Sequence, residues 1–376
     1  MEKLWAMSGD SHMLEPQDLY TRALPTALAD RAPRTKREGE WETIFVDGEV
    51  IRRQVMLIKE GEFAGMTSRE QVHRAPGARD VRLRMKDLDQ EGIWGELVYP
   101  SIGMWNNIVK DPVLAKAMVR VANDWAMDEI QSRSPRLIAA ATISMVSVDD
   151  AVEEVQRAAG LGFRAVFIPT EPPSADMEYH RKEWDPLWAV LEETGLVLAA
   201  HIGTDRVKRP YKGRGAATLN YVWESLGGQR VAVQLVTSGA FERYPNLKLL
   251  VSEGGAAWVP ALGDRMDESA RQHQFWVKPR LSMLPSEFLY RNVWVTFQHD
   301  RSAVPTYQHL GYKNILWGSD YPHSEGTFGH TQETLHQLFD NVESAARDAI
   351  LVENFLTLFP GVGRPPTGAS SGAAEV

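Results

Sequence analysis

Carboxylate and imidazole side chains recur where short apolar segments of this chain end. Asp10 and His12 follow the first segment, and His201 follows the fifth. The complete set of candidate metal ligands is Asp10, His12, Glu15, His201, Glu253, Asp320 and His323. The chain has no cysteine, so a metal ion would be held by nitrogen and oxygen donors alone. This set therefore predicts chemistry at a divalent metal ion.

The elements that must position these residues can be read from the alternation of apolar, β-branched runs with amphipathic stretches. The predicted strands are Leu4–Ser8, Ile93–Tyr99, Leu137–Ile143, Ala165–Ile168, Leu196–Ala200, Leu247–Ser252, Val293–Phe297 and Ile315–Gly318. The predicted helices include Asp149–Ala159, Trp184–Glu193, Arg230–Phe241 and Ala256–His273. This pattern predicts an α/β fold, a single distorted (β/α)8 TIM barrel over residues 1–359. An open doubly wound sheet is the alternative, but no glycine-rich phosphate motif follows the first strand.

The barrel prediction brings the candidate ligands together. The carboxyl ends of all barrel strands lie on one rim, where active sites of this fold are found. Asp10 and His12 are two residues apart, so both side chains of an extended segment point to the same face. We therefore expect donors that are far apart in the sequence to converge around one cavity.

Two regions depart from the β/α rhythm. Residues 20–90 form an insertion after strand one, which we expect to lie over the mouth of the barrel. Within it, Thr43–Val46 and Glu49–Arg53 flank Asp47-Gly48, a pair that favours a type I′ β-hairpin turn. Residues 360–376 are rich in Gly, Pro, Ser and Ala, and we expect a disordered tail there.

Composition excludes several classes of partner. The 376 residues carry 41 basic and 50 acidic side chains, for a net charge of −9, which would repel nucleic acid and anionic membranes. The sequence contains no apolar run long enough to span a bilayer and no pattern of a secretory signal at its start. We therefore expect a cytoplasmic protein that interacts with neither nucleic acid nor membrane.

At the candidate ligands the chain resembles the amidohydrolase-related family, in the branch of aminocarboxymuconate semialdehyde decarboxylase. The resemblance rests on the opening Asp10-x-His12, on His201 after strand five and on Trp317-Gly318-Ser319-Asp320-Tyr321-Pro322. It implies a distorted barrel with a divalent metal bound by His12, His201 and Asp320, and by Asp10 or a neighbour.

The chain also departs from that branch. Leu14 occupies a position where the branch usually carries a second His, and Glu253 replaces its catalytic His. Seven candidate ligands exceed what one ion uses. They resemble a subset of the family that employs two non-haem ions, di-iron or iron with manganese. This resemblance favours a monooxygenase that uses O₂ and an external electron donor to hydroxylate an unactivated C–H bond of a small anionic substrate.

Two alternatives remain open. One zinc or manganese ion could serve a hydrolase, or a decarboxylase of an aromatic or unsaturated acid, with Glu253 or His323 as the catalytic base. The chain could instead be an inactive subunit that supports a paralogous enzyme. The resemblance also implies a homo-oligomer.

Substrate contacts are predicted beyond the metal ligands. The loop after His201 is basic although the protein is acidic, so we expect Arg206, Arg209 and Arg214 to attract an anionic substrate. His299 and Trp223 are further candidates from segments expected to face the mouth.

Overall fold

The computed structural model describes residues 2–55, 75–205 and 211–366. Its strands, numbered in chain order, are Ala6–Ser8 (β1), His12–Met13 (β2), Arg34–Glu38 (β3), Trp41–Val46 (β4), Glu49–Val55 (β5), Ile93–Pro100 (β6), Leu137–Thr142 (β7), Ala165–Pro169 (β8), Val197–His201 (β9), Leu249–Ser252 (β10), Val293–Phe297 (β11) and Ile315–Trp317 (β12).

Eight of these strands form a parallel barrel. They are hydrogen-bonded in the order β1-β6-β7-β8-β9-β10-β11-β12, and β2 continues β1 along β6. Backbone hydrogen bonds close the seam between the last and first strands, from Gly9 N to Trp317 O at 2.9 Å and from Asp320 N to Asp10 O at 3.0 Å. The predicted TIM barrel is confirmed, and all eight predicted strands are present.

Apolar residues fill both sides of the strands, as expected for a parallel sheet covered by helices. One cluster fills the inside of the barrel and includes Leu97, Phe167 and Leu250. Phe359 and Val362, from the end of the chain, are buried in the same cluster. Within the tail predicted to begin at residue 360, Val362 is therefore packed, although Pro360 and Gly361 before it are exposed. Residues 367–376 lie outside the described part.

Helices cover the outside of the barrel. In the described part they are Leu19–Ala23, Thr26–Ala29, Val81–Glu91, Pro112–Glu129, Val148–Leu161, Asp185–Thr194, Ala216–Thr237, Ala240–Arg243, Trp258–Gln272, Pro285–Asn292, Ala303–His309, Thr331–Phe339, Ser344–Asp348 and Asn354–Leu358, with a π-helical turn at Ala349–Glu353. Among these helices none has both the length and the hydropathy needed to cross a membrane.

One helix prediction was misplaced. The helix predicted at Arg230–Phe241 begins at Ala216 and ends at Thr237. Gly239, with a φ of 72°, separates it from the short helix Ala240–Arg243, because a left-handed residue interrupts the helical path. The first half was missed because apolar residues such as Leu219 and Val222 are exposed there and obscure the amphipathic pattern.

The insertion contains a three-stranded antiparallel sheet in the order β3-β4-β5. The predicted hairpin is confirmed at Asp47-Gly48, where both residues have positive φ, 52° and 78°. Strand β3 was not predicted, because its five side chains are all exposed and lack apolar alternation. Val46 packs with Leu114 and Met118 of the outer helix Pro112–Glu129. The expected position of the insertion over the mouth of the barrel stays a prediction.

We predict that the end of the chain seals the inside of the barrel. Phe359→Ala should lower the free energy of unfolding by about 3–5 kcal/mol, because it leaves a cavity where a fully buried ring was packed. Urea denaturation measures the effect. Phe275, which is 79% exposed, provides the matched control, and Phe275→Ala should leave stability nearly unchanged. Equal stability of the two variants would contradict the packing described here.

Candidate metal centre

The innermost group of donors joins the first and fifth barrel strands of the sequence prediction. Asp10 and His12 come from the segment around β2, and His201 is the last residue of β9. The Nε2 atoms of the two imidazoles lie 3.1 Å apart, and Asp10 Oδ1 lies 3.3 Å from His201 Nε2 and 3.8 Å from His12 Nε2. All three side chains are at most 3% exposed. Their ligand atoms are close enough together to contact one ion.

A second group shares His12 with the first. Asp320 Oδ1, after β12, lies 3.5 Å from His12 Nε2 and 2.8 Å from His323 Nδ1. The rings of His12 and His323 stack with centroids 4.2 Å apart. The segments that follow β1 and β12 close the barrel seam. They therefore also place Asp320 and His323 against the group of Asp10, His12 and His201.

Glu253 completes the convergence after β10. Its Oε2 atom lies 3.7 Å from His201 Nε2, and its side chain is 12% exposed, so it stands at the edge of the buried cluster. It also forms a third group with Asp320 and Glu325. Glu325 was not a sequence candidate, because it lies in a loop away from any strand end; its nearness to His323 in sequence was the only available signal.

The arrangement fits a bound cation. Both oxygens of Asp10 and both of Asp320 are buried without an aligned hydrogen-bond donor among the described residues. Burying a carboxylate without such partners is costly, and a cation held between the carboxylates and imidazoles removes that cost. Glu253 and Asp320 also have positive φ values of 61° and 52°, a strained conformation for residues with a side chain. Backbone strain thus accompanies the carboxylates of this site.

Burial and neighbouring charges alter the titration of the imidazoles. Burial, with the charges of His323 and His201, holds the pKa of His12 well below its usual value. Burial also acts to lower the pKa of His201, but the Asp10 carboxylate outweighs it and raises the pKa to about 9. In the same way Asp320 outweighs burial at His323 and raises its pKa to about 10.

The carboxyl groups respond to burial in the opposite direction. Burial and the charge of Asp320 raise the pKa of Glu253 well above its usual value. Burial raises the pKa of Asp320 to about 6, although His323 opposes the shift. Buried carboxyl groups and imidazoles in this cluster thus shift one another's pKa values, a pattern common at functional sites.

Glu15 does not join these groups. Its Oε2 atom accepts the backbone N–H of Ile102 and its Oε1 atom that of Gly103, both at 2.8 Å, and both oxygens also accept that of Ser101. The side chain is 1% exposed. The expectation that Glu15 is a metal ligand is therefore corrected: its charge is used by three backbone amides at the start of the turn Gly103–Ile108, a contact that residue type alone could not reveal.

Two buried residues that the sequence reasoning missed support the ligands. Arg84 forms a buried ion pair with Glu96 and donates from Nη1 to the carbonyl of His12 at 2.8 Å. Tyr99 packs its ring 4.9 Å from that of His201 and its hydroxyl lies 2.6 Å from Ser252 Oγ. Arg84 thus contacts the backbone of His12, and Tyr99 contacts the ring of His201.

The structure describes three of the five predicted substrate residues. Arg206 and Arg209 lie outside the described residues, and Arg214 is exposed. Trp223 packs against Tyr211, with ring centroids 5.9 Å apart. His299 is exposed near the rim, stacks on His330 at 5.8 Å and has Nε2 3.3 Å from the Glu325 carbonyl. These substrate contacts stay predictions.

The sequence pattern of a known family covers most of this chain. The family described as Amidohydrolase matches residues 85–360, which include His201, Glu253, Asp320 and His323. The chain belongs to the amidohydrolase family. The resemblance inferred from the ligand motifs is thereby confirmed at the level of the family.

Several named proteins and solved structures are similar to this amidohydrolase over most of its length. Gamma-resorcylate decarboxylase of Rhizobium sp. (strain MTP-10005) is 24% identical over 270 residues, covering 68% of this chain and 80% of that protein. The structure of an amidohydrolase from Mycobacterium avium subsp. paratuberculosis K-10 superposes with a TM-score of 0.76 at 21% identity, covering 96% of this chain and all of that one. The 5-carboxyvanillate decarboxylase of Novosphingobium aromaticivorans, with bound manganese and 3-methoxy-4-hydroxy-5-nitrobenzoic acid, has a TM-score of 0.69 at 17% identity, covering 94% and 97% of the two chains.

These comparisons correct the predicted reaction. The ligand count favoured a monooxygenase, but the relatives named for an activity are decarboxylases, which break a carbon–carbon bond and consume no oxidant. The assignment as an oxidoreductase is therefore wrong, and with it the need for O₂ and an electron donor loses its support. Manganese is the metal bound in the Novosphingobium structure, so the expectation of iron has no support from it either.

The hydrogen bonds of Glu15 to backbone amides lead to a testable prediction about metal binding and stability. Glu15→Gln should leave the metal content of the purified protein unchanged, because the carboxylate binds backbone amides. It should lower the free energy of unfolding by about 1–3 kcal/mol, because the amide NH₂ of glutamine cannot accept those hydrogen bonds. Metal analysis by mass spectrometry and urea denaturation measure both effects.

The matched control for this prediction is His12→Ala, which removes a proposed ligand and should lose the metal. Loss of metal from Glu15→Gln at unchanged stability would return Glu15 to the ligand set.

Proposed function

We propose that this chain is a metal-dependent decarboxylase of a small aromatic carboxylic acid. The observation that carries the proposal is that Asp10, His12 and His201 form one donor group, which Asp320 joins through the shared His12. Among the described residues, the four carboxylate oxygens of Asp10 and Asp320 are buried without an aligned donor. The activities named for the relatives in Rhizobium and Novosphingobium support this reaction class.

The donor set suits one divalent ion held by these four side chains. Two imidazoles with two carboxylates, and no thiolate, accept manganese or zinc equally well by ligand type. We favour manganese, since the Novosphingobium decarboxylase contains it. When bound, such an ion would supply a Lewis acid that polarises an oxygen of the substrate.

Decarboxylation requires a proton from the protein. The bond between a ring carbon and its carboxylate breaks, CO₂ leaves, and the electron pair that remains on the carbon takes up a proton. Glu253 is placed for this transfer, because its carboxyl group is at the edge of the cavity beside His201 and is partly open to the mouth. His323 lies 2.8 Å from Asp320 and holds that carboxylate in position.

Hydrolysis is the second candidate, and the identity of residue 253 favours it. A carboxylate beside the ligand His201 can accept a proton from water as a general base. The decarboxylase branch that this chain resembles usually carries His at this position. The same donor set would then serve cleavage of an ester or amide.

The experiment compares metal-free and reconstituted protein. Dialysis against a chelator should abolish turnover, and one manganese per chain should restore CO₂ release from 2,6-dihydroxybenzoate or 5-carboxyvanillate under anaerobic conditions. Glu253→Gln should retain the metal yet lose activity by about 10²–10⁴-fold, the usual contribution of a proton-transfer group. Glu343→Gln, a change at an exposed residue, serves as the matched control.

Three outcomes would contradict the proposal. Reconstituted protein that releases no CO₂ but cleaves aryl esters would establish the second candidate. Two ions per chain at saturation would contradict the single-ion site. Full activity of Glu253→Gln would remove this residue from the reaction.

A further inference from the structure

Gln298 carries a buried side-chain nitrogen, Nε2, that no neighbour in the described part of the chain pairs with. The residue is 7% exposed, and its side-chain Nε2 has no hydrogen-bond partner among the described residues. Its backbone, in contrast, is anchored: the N–H donates to Asp300 Oδ2 at 3.2 Å and the carbonyl accepts from Trp317 Nε1 at 3.3 Å. Buried donors are nearly always paired in folded proteins, so this unpaired donor requires an explanation.

The position of Gln298 in the barrel directs its side chain toward the cavity. The residue directly follows β11, in which Trp294 belongs to the cluster inside the barrel. Thr296, two residues after Trp294, lies on the same face of the strand. Its Oγ1 accepts the backbone N–H of Glu253 at 2.8 Å. Alternation along the strand places Gln298, two residues further, on this inner face at the rim.

The surroundings define what the amide can bind. Strand β11 lies between β10 and β12 in the barrel. Glu253 follows β10, Gln298 follows β11 and Asp320 follows β12, so Gln298 lies between the two acidic residues along the rim. A neutral N–H donor in an acidic rim contacts oxygen acceptors of a ligand and adds no charge of its own. An unpaired buried donor costs free energy in the empty site, and an oxygen acceptor of a bound ligand would remove that cost.

We propose that Nε2 of Gln298 donates a hydrogen bond to an oxygen of the bound aromatic acid and thereby selects substrates that carry an acceptor at this position. The inference rests on the proposed function for the class of ligand, but it concerns binding rather than the reaction. The acceptor is either a carboxylate oxygen or a ring hydroxyl oxygen.

Binding without turnover tests the proposal. Isothermal titration of the manganese-loaded Glu253→Gln protein, which should hold the metal without turnover, uses three probes: benzoate, resorcinol and 2,6-dihydroxybenzoate. The Gln298 variants are made in this same background. Gln298→Met, which keeps the length of the side chain and removes the donor, should weaken binding of 2,6-dihydroxybenzoate about tenfold, the loss expected for one hydrogen bond. A loss confined to benzoate and 2,6-dihydroxybenzoate would identify the carboxylate as acceptor, and a loss confined to resorcinol and 2,6-dihydroxybenzoate would identify a hydroxyl.

Thermal stability separates this role from a structural one. The free protein loses no hydrogen bond in Gln298→Met, so its Tm should be equal to or above that of the parent and its manganese content unchanged. Gln298→Glu should weaken binding further, because it places a carboxylate where the donor was. Gln337→Met is the matched control: Gln337 is exposed and donates to Glu333 Oε1, so its replacement should leave ligand binding unchanged.

Several results would overturn the inference. Unchanged affinity of Gln298→Met for all three probes would do so, as would a lower Tm or a loss of manganese, which indicate a structural role. Failure of the parent protein to bind any of the probes would also reject it. Weakened binding by Gln298→Met in a protein that releases no CO₂ would sustain this inference and reject only the proposed reaction.

Discussion

The structure depends on burying the carboxylates of Asp10 and Asp320 at the seam of the barrel. These residues follow the first and last strands, and a backbone hydrogen bond from Asp320 N to Asp10 O joins their segments. Ser8 reinforces the same seam, because its hydroxyl donates to the Asp10 carbonyl at 2.6 Å and accepts the N–H of Ser319 at 2.9 Å. The hydrogen bonds that close the barrel therefore also bring together the residues of the candidate metal centre.

Close packing at this seam leaves room only for small residues. A Cβ atom on Gly318 would lie 2.8 Å from the Asp10 Cβ, and one on Gly9 would lie 2.8 Å from Thr296 Cγ2. The ligand carboxylates approach each other because these glycines have no side chain. A cation that binds the folded chain preferentially also stabilises it, so the fold and the metal site support one another.

The number of candidate ligands did not identify the reaction at this site. Seven candidate donors suggested two ions, which stays a prediction, and one of the seven, Glu15, binds three backbone amides. The other candidate donors are imidazoles and carboxylates, which bind many divalent metals. They are therefore compatible with hydrolysis, decarboxylation and redox reactions alike. The distinction lies in residues around the ligands, such as Glu253, and in the activities of the relatives.

The sequence by itself determined the eight barrel strands and most of the metal centre. Buried parallel strands read as short apolar runs, and their carboxyl ends must share one rim, so Asp10, His12, His201, Glu253, Asp320 and His323 could be placed together without coordinates. The turn at Asp47-Gly48 was equally local, since its positive φ values suit this residue pair.

Only the tertiary structure decided where Glu15 directs its charge and that Arg84 supports the His12 carbonyl. It also decided that Gln298 Nε2 is buried without a partner among the residues that the structure describes. These facts depend on contacts between segments far apart in the chain. A local pattern of residue types reports which side chains can bind; the packing of distant elements determines what each of them meets.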